Sequence, residues 1–317
     1  MRHTTLSSTL LLTLTAFIWG MCFVAQRSGM DYIGPFLFNG LRELLGALTL
    51  LIGLAAGQVV THLRHQHKRK PVATDTWRSL VVSGTLCGLV LYFASNLQQI
   101  GMVYESASKA AFITTLYIVL VPLLGLAFRQ KISWNSWVSV ALAACGLYLL
   151  CVSETLRLGS GDILLLICAF FWAIHILLVG HFAPRFTLRQ LLRFCVIQFA
   201  VAGVLSLVSA PVLDTLFVTV PLSVKTLGLV APEILYAGIL STGLAFTLAA
   251  LGQRYAKPQS AAVIMSLEAV FGLLGGFVLL GESLSAHEAL GSLLMFGAVV
   301  LTQLTFKPRL RRRVRDG

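Results

Sequence analysis

The residues best able to do chemistry in this chain are ionisable side chains set deep in apolar runs. Glu268 lies about ten residues from either end of the run 259–280. An ionisable group at such depth costs about 2.5–3.5 kcal/mol on insertion scales and is by default a functional residue. It can take up and release a proton or hold a substrate ammonium; the competing reading is a structural carboxylate paired inside a helix bundle. Arg42 sits one to two turns inside the run 36–56, and Glu43 follows it. Neighbours on a helix point ~100° apart, so the two are expected to serve different faces. Arg42 is then a carboxylate or gating ligand, or else a structural ion pair or a side chain snorkelling to the outer headgroups. His175 and Trp172 are nearly one helical turn apart in the run 162–181. That histidine either lines a cavity or hydrogen-bonds a neighbouring helix. Trp19 and Trp172 lie deeper than an interfacial aromatic belt, where core packing is the ordinary use.

Other polar and small residues read more as structure. Gln26, Asn39, Asn96, Gln98 and Gln99 fall toward the outer ends of their runs, as polar interface lining or an extracellular vestibule. Gly84 with Gly88, and Gly272 with Gly276, place small residues one turn apart and permit close helix contact. Pro122 lies within an apolar run, where it frees a carbonyl and kinks the helix, as a hinge or as a static bend. The six cysteines (22, 87, 145, 151, 168 and 195) fall in or beside apolar runs without a CxxC, and read as small apolar fillers. His62, His65 and His67 in the loop 61–70 stand beside four fixed cations and no carboxylate, a poor divalent site. No metal and no cofactor is expected. Gly-x-Ser-x-Gly, His-Glu-x-x-His and phosphate-cradling loops are absent from the sequence.

The elements that hold these side chains follow from composition. Of 317 residues, 57% are apolar and 11% charged, against about 25% charge in soluble domains. That excludes a soluble enzyme, a disordered tail protein and a disulfide scaffold. A membrane span takes ~20 apolar residues, and about ten such runs are present: 6–26, 36–56, 79–100, 107–128, 136–152, 162–181, 191–212, 230–252, 259–280 and 287–306. Gly34-Pro35, Pro71, Pro184, Pro221, Pro258 and Gly281 fall at or beside these boundaries. The fold class is an all-α polytopic membrane protein.

The formal net charge of +12 would suggest nucleic acid in a soluble protein. Here no stretch interleaves aromatics with arginine, and no nucleic-acid partner is expected. Sorted by loop parity, nineteen of the 24 basic residues lie on one side, including Arg64–Lys70, Arg185–Arg193 and Lys307–Arg315, while Arg27, Lys109, Arg157 and Lys225 lie on the other. By the positive-inside rule, both termini are cytoplasmic. The first run is too long for a signal-peptide core, and no small-x-small cleavage site follows it. The basic loop 61–70 and the tail 309–315 are expected to meet anionic lipid headgroups.

The chain repeats itself. Residues 89–126 align without gaps onto 240–277 at an offset of 151, with identities such as Leu89/Leu240, Gly101/Gly252, Tyr104/Tyr255, Ala110/Ala261, Ala111/Ala262 and Gly125/Gly276. Near an offset of 153, Ala16-Phe17-x-Trp19 matches Ala169-Phe170-x-Trp172. Each half then holds five spans, and an odd number places the second half upside down relative to the first. The matched loops agree: 101–109 carries Glu105 and Lys109, whereas 252–260 carries Arg254 and Lys257 with no acid. Inverted repeats are a recurring design of secondary transporters, with the substrate site near the midplane between the halves. The organisation expected is a five-helix repeat at 1–152, its inverted copy at 153–306 and a basic cytoplasmic tail at 307–317. In that scheme Tyr117 is the counterpart of Glu268, so the two face each other across the cavity.

Four segments carry a family resemblance: AFIWGMCFVAQRSGMDYIGPFLFNGLR (16–42), LQQIGMVYESASKAAFITTLYIVLVPLLG (97–125), FFWAIHILLVGHFAP (170–184) and SLEAVFGLLGGFVLLGESLS (266–285). The chain resembles ten-helix, EamA-type members of the drug/metabolite transporter superfamily over nearly its whole length. The resemblance implies an inner-membrane carrier, often an exporter of amino acids or related metabolites, with a central cavity between two five-helix repeats. Glu43 departs from the apolar residue usual in the family after the arginine. The function expected is a secondary transporter of a small-molecule metabolite by alternating access, with proton coupling at Glu268 as one form of it. A membrane-embedded transferase and a passive channel are the alternatives. A homodimer is compatible with the sequence.

Overall fold

The structure, a computed structural model, describes residues 2–64, 74–127, 129–130, 132–151, 159–217, 223–280 and 285–304. Described residues form helices and short turns, with no strand among them. The first five expected spans contain α1 (Arg2–Gly29), α2 (Pro35–Arg64), α3 (Thr74–Tyr104), α4 (Ala107–Thr115) with α5 (Tyr117–Ala127), and α6 (Trp134–Cys151). The remainder contain α7 (Ser160–Phe182), α8 (Leu188–Leu213), α9 (Val224–Leu235) leading through a π-helical stretch Tyr236–Ala245 into α10 (Phe246–Gln253), α11 (Pro258–Met265) with α12 (Leu267–Leu280), and α13 (Ala286–Leu304). Seven stretches are long and apolar enough to cross a membrane, and two shorter apolar helices cover Pro258–Leu274 and Ala286–Thr302. Lipid offers the backbone no hydrogen bonds, so an apolar run must satisfy its own amides as a helix.

The burial pattern is that of a protein solvated by lipid. Leu10, Ile52, Val82, Val208 and Val212 are each at least 60% exposed, while Asn39, Arg42, Glu43, Gln98 and Glu268 are buried. A soluble domain shows the reverse. The structure is that of an all-α polytopic membrane protein.

Helix starts are fixed by local chemistry. Thr187 and Gln190 cap α8 reciprocally, with Thr187 N donating to Gln190 Oε1 at 2.8 Å and Gln190 N to Thr187 Oγ1 at 3.4 Å. The amides of Phe36 and Leu37 at the start of α2 donate to the two carboxylate oxygens of Asp214, at 2.9 and 2.8 Å, so the end of α8 caps a helix far away in sequence. Ser106 Oγ accepts the amide of Lys109 at the start of α4. Pro258 opens α11, where its missing N–H costs nothing.

Two interruptions occupy matching places. Between α4 and α5, Leu116 has ψ of −9°; between α11 and α12, Ser266 has ψ of −14°. In each case an amide three residues on bonds the carbonyl at the break, Val119 N to Leu116 O at 3.0 Å and Ala269 N to Ser266 O at 3.2 Å. These are single tight turns inside an apolar passage. Helix α5 continues through Pro122, so this passage is interrupted six residues before the proline that the sequence marks. A third irregularity, the π-helical stretch, has no counterpart in α3, which runs unbroken.

Helix α2 packs on α8, α6 on α13, α3 on α7 and α8, and α1 on α12, α10 and the π-helical stretch. Small residues set the closest approaches. A Cβ on Gly88 would come within 2.8 Å of Gln198 O, and one on Gly84 within 2.7 Å of the Ile197 side chain, which makes both part of the α3–α8 contact. A Cβ on Gly20 would lie 2.5 Å from Glu268 O and 2.8 Å from Gly272 N, so α1 crosses α12 almost backbone to backbone. The contacts of Gly276, the basic loop 65–70 and the tail 305–317 lie outside the described residues.

Candidate functional site

The crossing of α1 and α12 forms one wall of a cavity of about 650 Å³, partly open to solvent. Its lining comes from α1, α2, α3, α4, α5, α7, α8, the π-helical stretch, α10, α11 and α12. Glu268, Tyr117, Arg42, Trp19, Trp172 and His175 all line it. Side chains singled out at scattered places in the sequence are thus gathered around one space.

Glu268 is the second residue of the helix after the second interruption, and Tyr117 the first residue of the helix after the first. Tyr117 Oη donates to Glu268 Oε1 at 3.0 Å. Thr115 Oγ1 lies 3.3 Å from the same oxygen and 2.6 Å from Ala111 O. No basic side chain pairs with Glu268 among the described residues. The carboxyl is therefore hydroxyl-bonded, rather than ion-paired as the structural reading of the sequence allows.

The aromatic wall comes from both halves of the chain. Trp19 and Trp172 approach with ring centroids 6.2 Å apart. Phe246 packs edge-on to Trp19 at 4.7 Å and stacks on Trp172 at 5.7 Å. The indole N–H groups are used: Trp19 Nε1 donates to Ser241 O at 3.4 Å and Trp172 Nε1 to Gln98 Oε1 at 2.7 Å. His175 stands edge-on to Trp172 and lies 3.0 Å from Gln198 Oε1 on α8. It both lines the cavity and bonds a neighbouring helix, which the sequence presents as alternatives.

For Arg42 the sequence leaves a ligand, an ion pair and a snorkelling side chain open. Arg42 is 2% exposed and does not snorkel to headgroups. Its Nη1 donates to Gln26 Oε1 at 2.8 Å, and its Nη2 lies 3.5 Å from Glu43 Oε1. Adjacent positions do leave the helix in different directions, but the long guanidinium arm curls back far enough to reach its neighbour. Glu43 is fully buried and does not line the cavity.

Four of the five polar residues expected near the outer ends divide into two groups. Gln26 and Gln98 line the cavity, whereas Asn39 donates to Asn96 Oδ1 at 3.1 Å and Asn96 to Ser206 Oγ at 2.8 Å, joining α2, α3 and α8. Sequence reasoning missed Gln198, Ser241, Phe246 and Gln253. Gln198 carried a usable signal, being an amide in the middle of an apolar run. Phe246 carried none, since one phenylalanine among 19 is marked only by its neighbours.

A polar and aromatic cavity inside a bundle of lipid-facing helices fits a membrane transport protein, and sequence comparison agrees. The profile of the EamA-like transporter family matches residues 6–152 and again residues 159–304. The chain belongs to that family. It is 28% identical over 294 residues to an uncharacterized transporter of Archaeoglobus fulgidus, covering 92% of this chain and 84% of the relative. It is 24% identical to the uncharacterized transporter YoaV of Bacillus subtilis over 92% of this chain and 95% of the relative. The uncharacterized inner membrane transporter YedA of Escherichia coli is 26% identical over 90% and 87%. A solved structure titled "Crystal structure of protein" superposes with a TM-score of 0.70 at 19% identity, covering 98% of this chain and 99% of that one, and shares the fold. The protein is an integral membrane transporter, and the family and its relatives' names indicate transport rather than catalysis.

Proposed function

We propose that the protein is a secondary carrier of a small, amphipathic metabolite, an amino acid or a related compound, working by alternating access at this cavity. The observation that carries the reading is the Tyr117–Glu268 hydrogen bond, made between the first turns that follow two matching helix interruptions. Interrupted helices in corresponding positions of two halves are the strongest pointer to a transporter's binding site. The packing supports a two-fold relation: exchanging each of the first five spans with its counterpart turns α2–α8 and α6–α13 into themselves. The same exchange turns the α1–α12 contact into that of α4 and α5 with α7.

In this reading the ten spans form two five-helix repeats, 1–152 and 153–306, the second inverted, with both termini in the cytoplasm of a bacterial inner membrane. Export is the direction that the family resemblance suggests. Trp19, Trp172 and Phe246 receive an apolar substrate body, and Arg42 and Glu268 offer opposite charges to its polar ends. Glu268 also serves as a proton site. Thr115 has one hydroxyl hydrogen, and Ala111 O at 2.6 Å is the nearer acceptor. Its contact with Glu268 at 3.3 Å becomes a second hydrogen bond when the carboxyl carries a proton. The basic loop 61–70 and tail 309–315 engage anionic lipid headgroups.

Metabolite profiles of cells overproducing and lacking the protein identify the compound it moves. Counterflow in reconstituted vesicles then tests the mechanism. Preloaded unlabelled compound accelerates labelled uptake for a carrier; a passive channel gives no acceleration, and a transferase changes the compound.

A further inference from the structure

The cavity's guanidinium has a carboxylate behind it that it does not fully engage. Arg42 Nη2 and Glu43 Oε1 are 3.5 Å apart without hydrogen-bond geometry. Neither carboxylate oxygen of Glu43 accepts a hydrogen bond, and Arg42 Nε has no acceptor. A guanidinium can make two parallel bonds to a planar carboxylate, yet here it makes none. Arg42 lines the cavity and Glu43 does not. The cation therefore stands between an internal carboxylate and a space that an external one can enter.

We propose that a carboxylate-bearing ligand takes Glu43's place on Arg42, and that Glu43 takes up one proton from water as it is released. The proposal rests on the reading of the cavity as the substrate site. With Glu43 ionised, the Arg42–Glu43 pair is electrically neutral before binding. Once a ligand carboxylate occupies Arg42, an ionised Glu43 would be a buried charge without a partner, the costliest arrangement available. One added proton restores neutrality: a charge contact breaks, a bidentate one forms, and no covalent bond other than the new O–H is made.

Among the described residues, nearby groups do not offer Glu43 a replacement cation. Of the titratable groups on elements packed against α2, the Cys22 thiol of α1 interacts with the pair. Tyr92 of α3 bonds Ser209, Glu233 of α9 bonds Ser28, and Tyr236 of the π-helical stretch donates to Ile18 O. Arg189 and Arg193 stand near the N-terminus of α8, whereas Gly203, further along that helix, meets Leu44 beside Glu43.

The test uses the full chain in liposomes with three related probes: 3-phenylpropionate, phenylalanine and phenethylamine. Quenching of tryptophan fluorescence reads binding, since Trp19 and Trp172 line the cavity, and an indicator dye in weak buffer reads protons. 3-Phenylpropionate should bind with proton uptake, its Kd rising with pH by up to roughly tenfold per pH unit where Glu43 is ionised in the free protein. Phenethylamine should bind without proton uptake at Glu43. Glu43→Gln should bind 3-phenylpropionate with no proton uptake and a Kd independent of pH. The double variant Arg42→Gln/Glu43→Gln keeps a neutral pair if the single variant fails to fold. It should lose at least roughly tenfold in affinity for both carboxylates while retaining phenethylamine. Unchanged proton uptake in Glu43→Gln, or none in the wild type, overturns the proposal. Failure of both carboxylates to bind overturns it as well. Counterflow of whatever compound the cells move then decides the carrier reading separately.

Discussion

Tyr117 and Glu268 stand 151 residues apart, and the phenol hydroxyl of one donates to the carboxyl of the other at 3.0 Å. Each lies in the first turn of the helix that follows an interruption, at Leu116 and at Ser266. A tight turn withdraws the regular i→i−4 pattern locally and aims the next side chain out of the helix stack. Two such turns, one from each half, bring a donor and an acceptor together beside the cavity.

Replacing that carboxyl should uncouple transport from pH. Glu268→Gln keeps size and hydrogen-bonding capacity, so expression and monodispersity should be unchanged. Flux into reconstituted vesicles should then lose its response to an imposed pH gradient. Full retention of that response would remove Glu268 from proton handling. Tyr117→Phe deletes only the donor and should weaken the response without abolishing it.

The Arg42–Glu43 pair makes a stability prediction independent of any ligand. Arg42→Ala leaves Glu43 buried without its cation, and breaking a buried pair from one side costs about 3–5 kcal/mol. Adding Glu43→Gln to Arg42→Ala should recover most of that loss. Thermal unfolding in detergent of the two single variants and the double variant measures the coupling; additive losses would mean that the pair is not a unit.

Close backbone crossing at Gly20 should be intolerant of a methyl group. In Gly20→Ala the new Cβ would meet Glu268 O at 2.5 Å and Gly272 N at 2.8 Å, and neither atom can swing aside. Overpacking of this kind costs about 1–3 kcal/mol, and it also shifts the segment that carries Glu268. Gly53→Ala, with nothing within 4 Å, is the matched control and should unfold at or above the wild-type temperature.

In the first turn of α4, Lys109 Nζ lies 2.9 Å from Glu105 Oε2 and 2.9 Å from Asp162 Oδ2, tying α4 to the start of α7. Lys109→Gln should loosen this tie between the two halves. A partly buried pair worth about 1 kcal/mol corresponds to roughly a fivefold change in an opening equilibrium. Maleimide labelling of Cys22, which lines the cavity, should accelerate by that factor in a background with the other cysteines replaced by serine. An unchanged rate would assign the cluster to packing alone.

Much of this architecture is local chemistry and therefore readable in one dimension. Apolar runs must become helices in lipid, and a charge placed at depth is costly wherever its helix is packed. Glu268, Arg42 and His175 could for that reason be singled out without a structure. The offset of 151 paired Tyr117 with Glu268 before any contact was visible. Lateral choices were not readable in the same way. That Arg42 leans back on Glu43, that Gln198 rather than another amide meets His175, and that Phe246 bridges the two tryptophans all depend on which helix faces which. Neighbouring apolar helices look alike to a sequence pattern, because lipid-facing and bundle-facing positions are both hydrophobic. Only tertiary packing, decided by close approaches such as Gly20 to Gly272, selects the faces that meet.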